Sequence, residues 1–333
     1  MMVDCALEPR SVLASNVARA KNAKSHELAE HLAHYDPFFS NEELLLRTAF
    51  GYNTLGMPKL GTHGGVDNID ARSLQQFMME NITPKKCLIV GAGVHNHNEF
   101  VDLVKERIGE ILPVPEHVYE RTPSSYIGGE YRTWAESPQT NITLAFESCP
   151  WNSEDIFASF VAATILGNAS SSKRNHPGYG RYNRASQNLV QKHNYVDRAN
   201  AVNHHFSDTG LFGISVEGPG ANSADLMKSA VEELHELTKH ITSEELQRAK
   251  NHLKMEIALN NADHGNRLEE VARNYMTHGH LTFHQYAEKI DAVTAADVNR
   301  YVSRVLGGKP TLLVTGGAIN LVPAVSDVQR MLN

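Results

Sequence analysis

The sequence predicts an α+β protein, mixed α/β within each unit and built on an incomplete internal duplication. Three observations carry this reading. Landmarks recur in one order at nearly constant spacing, apolar and polar residues alternate through NITLAFESC (141–149), and helical periodicity dominates from Ser223 to Leu306. A chain of 333 residues, 41% of them hydrophobic, has the length and core material for about two domains.

The duplication is read first. Arg19-Ala20-Lys21-Asn22 recurs as Arg248-Ala249-Lys250-Asn251, an offset of 229, which sets Glu27 opposite Glu256. Ile69-Asp70 recurs as Ile290-Asp291, an offset of 221, and each is followed by a helix-like stretch, SLQQFMMEN and ADVNRYVSRVL. Both helices should lead into a strand between turn signals: 83–93 (TPKKCLIVGAG) and 308–318 (GKPTLLVTGGA), with Leu88 and Leu312 offset by 224. The drop from 229 to 221 puts about eight extra residues in the first copy, in the glycine-rich loop Gly61 to Gly65.

On this register residue 1 corresponds to roughly residue 230, so the segment from about 140 to 229 has no upstream counterpart. The expected organisation is a partial first domain over residues 1–112 that lacks its front half, a linker over 113–139, and a complete second domain over 140–333. The linker is marked by Pro113, Pro115, Pro123, Gly128, Gly129 and Pro138. In the second domain Ser153-Glu154-Asp155 caps a helix running to about Leu166, and two further strands, ANAVNHHF and LFGISVEG, flank the turn Ser207-Asp208-Thr209-Gly210. Thr242-Ser243-Glu244-Glu245 reads as a capped helix start.

This order of elements, together with ANAVNHHFSDTGLFGISVEG and the closing IDAVTAADVNRYVSRVLGGKPTLLVTG, is similar to one homology domain of the pitrilysin or M16 metallopeptidase family. The second half resembles the family's alpha-type members rather than its catalytic beta-type members. What the resemblance implies is αβ roll domains, one partial and one complete, forming half of a clam-like shell. It implies a non-catalytic, core 2-like structural subunit on the matrix side of the mitochondrial inner membrane, within respiratory complex III. The alternative it leaves open is an alpha subunit that presents presequences to a catalytic beta subunit of the mitochondrial processing peptidase. Implied partners are a beta-type (core 1) subunit, other complex III subunits and a separate polypeptide completing the first domain. No cofactor is implied for this chain.

The same resemblance makes the zinc site the point of departure. Active members carry HxxEH on a helix in the front half of the first domain, the half without a counterpart here, and a further carboxylate downstream, for which Glu27 is the nearest candidate. The run His26-Glu27-Leu28-Ala29-Glu30-His31-Leu32-Ala33-His34 invites a metalloprotease reading, yet the fifth position from His26 is Glu30, where HExxH and HxxEH both need a second histidine. A single carboxylate is too few ligands, because catalytic zinc takes three from the protein and keeps one position open. The run therefore reads as a solvated helix face.

The segment from Gly167 to Gly180 sits where alpha-type members carry a glycine-rich substrate loop. Gly167, Asn168, Ser170, Gly178 and Gly180 are the candidate peptide contacts, weighed against a purely structural loop because Asn, Ser, Lys, Arg and His replace most of the expected glycines.

Other chemistry finds little support. A formal charge of -7, from 38 acidic and 31 basic residues, offers no global field for nucleic acid. The longest apolar stretch, Phe157 to Gly167, is broken by Ser159 and Thr164 and falls short of a bilayer span. The amino terminus lacks the pattern of a targeting peptide. Cys5, Cys87 and Cys149 read as free thiols in the core. Among 18 histidines, the pairs His95/His97, His204/His205 and His278/His280 read as solvated, and the consecutive His204 and His205 point to opposite faces of a strand. Gly91-Ala92-Gly93 lacks a dinucleotide loop's third glycine, and no nucleophile elbow or P-loop occurs.

Overall fold

A computed structural model describes residues 14–33, 37–59, 61–82, 86–108, 121–173, 182–279 and 281–332. The chain divides into two compact units. The first comprises residues 1–40, 58–122 and 268–272, the second residues 41–57, 123–267 and 273–333. The chain is a mixed α and β protein, as expected from sequence.

Helix α1 (Ala14–Ala33) opens the first unit, and α2 (Pro37–Phe50) crosses into the second. The first unit continues with α3 (His63–Asn68), α4 (Ala71–Asn81) and α5 (His97–Ile108). Lys21 Nζ on α1 donates to the Asp67 carbonyl at the end of α3, 2.8 Å away. Asp70 caps α4, accepting from the Ser73 backbone N–H while the Ser73 hydroxyl lies 3.0 Å from the Asp70 N–H. This reciprocal pair satisfies two donors that a helix start leaves orphaned.

The second unit is built on one six-stranded sheet with helices. In chain order it comprises β1 (Gly129–Trp134), β2 (Gln139–Ser148), α6 (Ile156–Leu166), β3 (Asn168–Ser170), a π-helix (Ala185–Val190), β4 (Arg198–His205) and β5 (Gly210–Pro219). There follow α7 (Ser223–Lys239), α8 (Ser243–Asn260), α9 (His264–His278, of which 268–272 fall to the first unit), α10 (Phe283–Ala292), α11 (Ala295–Leu306), β6 (Pro310–Gly316) and α12 (Val325–Leu332). Strand order is β1-β6-β2-β5-β4-β3, parallel only between β1 and β6.

Alternation along the strands fixes what each face buries. Ile142, Leu144 and Phe146 on β2, Phe212, Ile214 and Val216 on β5, and Leu312 and Val314 on β6 enter the main core with α6, α7 and α11. The opposite face is covered at one end by α2, whose Leu45, Leu46, Ala49 and Phe50 pack on Ala145, Val202, Leu211 and Leu313. Full burial of each Val, Leu, Ile or Phe among them contributes roughly 1.5–3 kcal/mol. Asp155 stands at the start of α6, but its carboxylate serves tertiary structure, meeting Arg300 at 3.3 Å and Arg304 at 2.5 Å on α11. The Thr242 hydroxyl accepts from the Glu245 N–H and opens α8 as expected.

The duplication is visible in hydrogen bonds as well as in letters. Lys250 Nζ donates to the Asp291 carbonyl at 2.9 Å, the counterpart of Lys21 and Asp67. Thr294 and Asp297 form the capping box of α11, the counterpart of Asp70 and Ser73. These equivalences set the later offset at 224, so Asp291 answers Asp67 rather than Asp70, and the first copy has five extra residues rather than eight. The dipeptide match misled because a short Ile-Asp repeat carries less register information than a cap and its geometry.

Other expectations change. Residues 310–316 form β6, but 86–93 form no strand, and Leu88 and Ile89 are exposed; a strand needs a neighbour to pair its backbone. The stretch 113–139, read as linker, contains β1. Cys149 is buried as expected, Cys87 is exposed, and Cys5 lies outside the described residues. His95 and His97 are exposed, and His280 is outside the described residues. His205 is no solvated edge residue. It is buried, with Nδ1 2.8 Å from the Cys149 carbonyl and Nε2 3.0 Å from the Ser159 hydroxyl. His278 likewise packs among Trp151, Phe157 and Tyr286. Strand alternation separates His204 from His205 but does not say that the face His205 joins is the core.

Burial pushes His205 down to about 4 from its ordinary 6.5. The unfolded chain binds the proton first, so the stability contributed by neutral His205 is whole above pH 6.5 and is lost as pH falls toward 4. Between pH 7.5 and 4.5 this one group should cost about 2 to 3 kcal/mol. Denaturant unfolding followed by tryptophan fluorescence should show a shallower pH slope for His205→Gln than for the wild type over that range. Equal slopes would refute the assignment.

Candidate functional site

The loop nominated from sequence begins as structure. Gly167 ends α6 with φ +71°, a left-handed conformation, and a Cβ there would lie 2.3 Å from the Asn183 side-chain nitrogen. Only glycine fits both the dihedral and the space. Asn168 to Ser170 then form β3 against β4. The Ala201 N–H donates to the Gly167 carbonyl at 2.9 Å and the Ser171 N–H to the Asp197 carbonyl at 2.7 Å. With alternation fixed by these bonds, Gly167, Ala169 and Ser171 turn their backbone groups to β4, and Asn168 and Ser170 turn theirs away from it. The Asn183 side chain donates to the Asn168 carbonyl at 3.1 Å. Strand β3 is the last in the sheet order, so the outward Asn168 and Ser170 N–H groups lie along the sheet's edge.

Two residues that sequence reasoning passed over hold this edge. Asn183 also accepts from the Ser186 N–H at 2.8 Å, so one side chain ties α6's end to the π-helix. Asp197 accepts from the Ser171 hydroxyl at 3.2 Å and from the Gln139 amide at 3.2 Å. The signal for Asn183 was its place three residues before Ser186, the spacing of a helix cap; nothing local announced Asp197. Gly178 and Gly180 lie outside the described residues.

Behind the edge, the face opposite the main helices is polar where α2 does not cover it. Cross-strand pairing lines up Thr315, Asn141, Glu217, Arg198 and Ser170 in one row. The next row runs Thr143, Ser215, Asn200 and Asn168. Thr143 donates to Ser215 at 3.0 Å, Thr315 donates to Asn41 at 3.3 Å, and Arg198 stands 3.7 Å from Glu217. Both rows end on residues nominated from sequence. Their chemistry is hydrogen bonding and one partly exposed ion pair, suited to holding an extended polar chain rather than moving protons.

The groups that might suggest a nucleophile are inert where they stand. Cys149 Sγ is 4.0 Å from His205 Nδ1, but that nitrogen meets the Cys149 carbonyl, and burial pushes the thiol up and the imidazole down. An activated cysteine needs the reverse of both shifts. A second buried cluster is structural. Arg184 forks onto Glu245 at 2.7 and 3.1 Å, with Glu233 3.8 Å away and burial pushing the Glu233 carboxyl up.

Glu27, the residual zinc candidate, pairs with Lys24 at 3.0 Å one turn back on α1 and is largely exposed. Among the described residues no group of three or more His, Cys, Asp or Glu side chains is placed to hold a metal ion. The side chains of His31 and His34 lie outside what is described.

Known proteins bear on this arrangement. The mitochondrial-processing peptidase subunit alpha of Caenorhabditis elegans is 28% identical over 81% of this chain and 56% of its own length. The probable alpha subunit of Schizosaccharomyces pombe is 31% identical over 84% of this chain and 59% of its own length. A probable beta subunit of Arabidopsis thaliana is 27% identical over 85% of this chain. The chain thus spans somewhat under two thirds of these alpha relatives' length. A chain from the structure of complex III2 of Candida albicans bound to Inz-5 shares the fold at TM-score 0.82 and 23% identity, covering 94% of this chain and 74% of that one. The model described as "Peptidase M16 inactive domain" matches residues 68–253, more than half the sequence, and the chain belongs to the M16 peptidase family through that inactive domain.

Proposed function

We propose that the chain is a non-catalytic, alpha-type subunit that serves as a core 2-like structural component of mitochondrial respiratory complex III. In this reading it lies peripherally on the matrix side of the inner membrane and pairs with a beta-type, core 1-like subunit. The observation that carries the reading is the match to the inactive domain over residues 68–253, in a chain whose histidine run, residues 26–34, lacks both zinc-histidine spacings. The alpha-subunit relatives and the fold shared with a complex III chain support it. A peripheral position agrees with a set of described helices none of which is long and apolar enough to cross a membrane.

A second reading is favoured by one observation, the outward edge of β3 backed by polar rows. There the chain would present presequences to a beta subunit of a processing peptidase. An extended peptide would add a strand along Asn168 and Ser170, using main-chain hydrogen bonds for affinity and the polar rows for side-chain contacts.

Three measurements follow. On native gels with mass spectrometry, the tagged chain should comigrate with a beta-type subunit and ubiquinol-cytochrome c reductase chains; migration apart from both refutes the leading reading. The purified chain should hold no stoichiometric zinc and cleave no presequence peptide, and zinc at one per chain with activity lost in Glu27→Gln would overturn it. For the second reading, Ser170→Pro removes an outward N–H without touching the β4 ladder. It should weaken presequence-peptide binding by about two- to tenfold, the worth of one hydrogen bond, and unchanged binding would exclude this edge.

A further inference from the structure

A cavity of about 680 Å³ lies in the second unit between α7, the end of the π-helix with the turn that follows it, and Met331 on α12. Its volume is that of a small-molecule site. The most buried charged group in its wall is Glu233, which is 5% exposed. Glu233 Oε2 accepts from Asn188 Nδ2 at 2.9 Å, whereas Oε1 makes no hydrogen bond. An ionised carboxylate can accept about four hydrogen bonds, and this one has a single donor among the described residues. Arg184, 3.8 Å from Oε1, is already forked onto Glu245 at 2.7 and 3.1 Å. The cluster therefore holds two carboxylates against one guanidinium, and an ionised Glu233 has no counter-ion of its own. Burial, with the carboxylates of Glu245 and Glu236 nearby, pushes the Glu233 carboxyl up. A buried charge in that position calls for a donor that carries the opposite sign.

The exposed part of the lining has the other charge. Lys192, Lys228 and Lys239 line the cavity and are exposed. Lys228 stands 3.9 Å from Glu232 and Lys239 3.0 Å from Glu236, while Lys192 makes no ion pair among the described residues. Leu189 and Val231, both buried, add apolar wall. A bare cation would have to pass three lysines to reach Glu233, and a bare anion would meet an unneutralised carboxyl inside. A molecule with one end of each sign meets neither obstacle. We propose that this cavity binds a small zwitterion, a primary ammonium joined by a short carbon chain to a phosphate or carboxylate, with the ammonium on Glu233 and the acidic end among the exposed lysines. The ammonium supplies N–H donors and the missing positive charge, and the carbon chain lies on Leu189 and Val231. Such a group occurs free or as the headgroup of an aminophospholipid. The inference does not depend on which complex the subunit serves.

Isothermal titration of the purified full chain with O-phosphoethanolamine and with 4-aminobutyrate tests the site. At least one of the two should bind. Ethylamine, ethyl phosphate and butyrate, each lacking one end, should bind at least about tenfold more weakly. Phosphocholine, whose quaternary nitrogen has no N–H to donate, should be weaker than O-phosphoethanolamine by a similar factor. Glu233→Gln keeps the shape of the side chain and removes its charge, and it should weaken binding by about tenfold or more, the worth of a charge-assisted hydrogen bond. Lys192→Glu, at an exposed position, should weaken it about threefold with an unchanged Tm by Trp151 fluorescence. If Glu233→Gln unfolds the unit, Lys192→Glu decides alone. Absence of binding by both zwitterions at millimolar concentration overturns the proposal. So does equal binding by a one-ended analogue, or binding that neither substitution changes. Flotation with vesicles of phosphatidylethanolamine in phosphatidylcholine, against phosphatidylcholine alone, separates the two sources. Recruitment that Lys192→Glu weakens assigns a lipid headgroup, and binding in solution without recruitment assigns a free molecule; either result upholds the site.

Discussion

A central strand must be paired along both edges and covered on both faces, and the second unit is organised around meeting that demand for β6. Its seven residues are all buried, held between β1 and β2, with α2 on one face and the main helices on the other. Backbone N–H and C=O groups removed from water need partners, so β6 can exist only where β1 and β2 already stand. The equivalent residues of the first unit have the composition of a strand without those neighbours. They keep their sequence pattern and form no ladder.

Two buried polar clusters stand beside this frame, and in the second Glu233 Oε1 makes no hydrogen bond and meets Arg184 only at 3.8 Å. His205, Ser159 and Cys149 form a chain of contacts inside the core, and Arg184, Glu245, Glu233 and Asn188 form another beside the π-helix. Each looks like chemistry when read as a list of side chains. Their surroundings assign His205 and Arg184 to structure, because burial lowers the basicity of the imidazole and so its pull on the Ser159 proton, and the Arg184 guanidinium is forked onto the Glu245 carboxylate. At the β3 edge the described residues offer backbone and neutral polar side chains. The edge of β3 and the polar rows behind it are the part of the second unit whose chemistry is that of extended-chain pairing.

Much of this was legible in the sequence. Period-two alternation gave β2, strand runs about a turn gave β4 and β5, cap residues gave α8, and the repeats gave α11 and the duplication, because each depends on neighbours close in the chain. The histidine run could be set aside on spacing alone, since ligand geometry on a helix is a matter of counting.

Tertiary structure decided the rest. Whether 310–316 forms a strand, whether His205 is wet or dry, and whether Gly167 to Ser170 is a free loop or a sheet edge all depend on residues far away: β1 and β2 for the first, Cys149 and Ser159 for the second, Asn183 and Ala201 for the third. The five-residue register of the repeat was likewise settled by a lysine reaching a helix-end carbonyl in each unit. Local sequence fixes dihedral preference and periodicity, but pairing and burial are properties of two segments at once. The sequence by itself therefore determined which elements this protein can make, and only the fold decided which of them are covered.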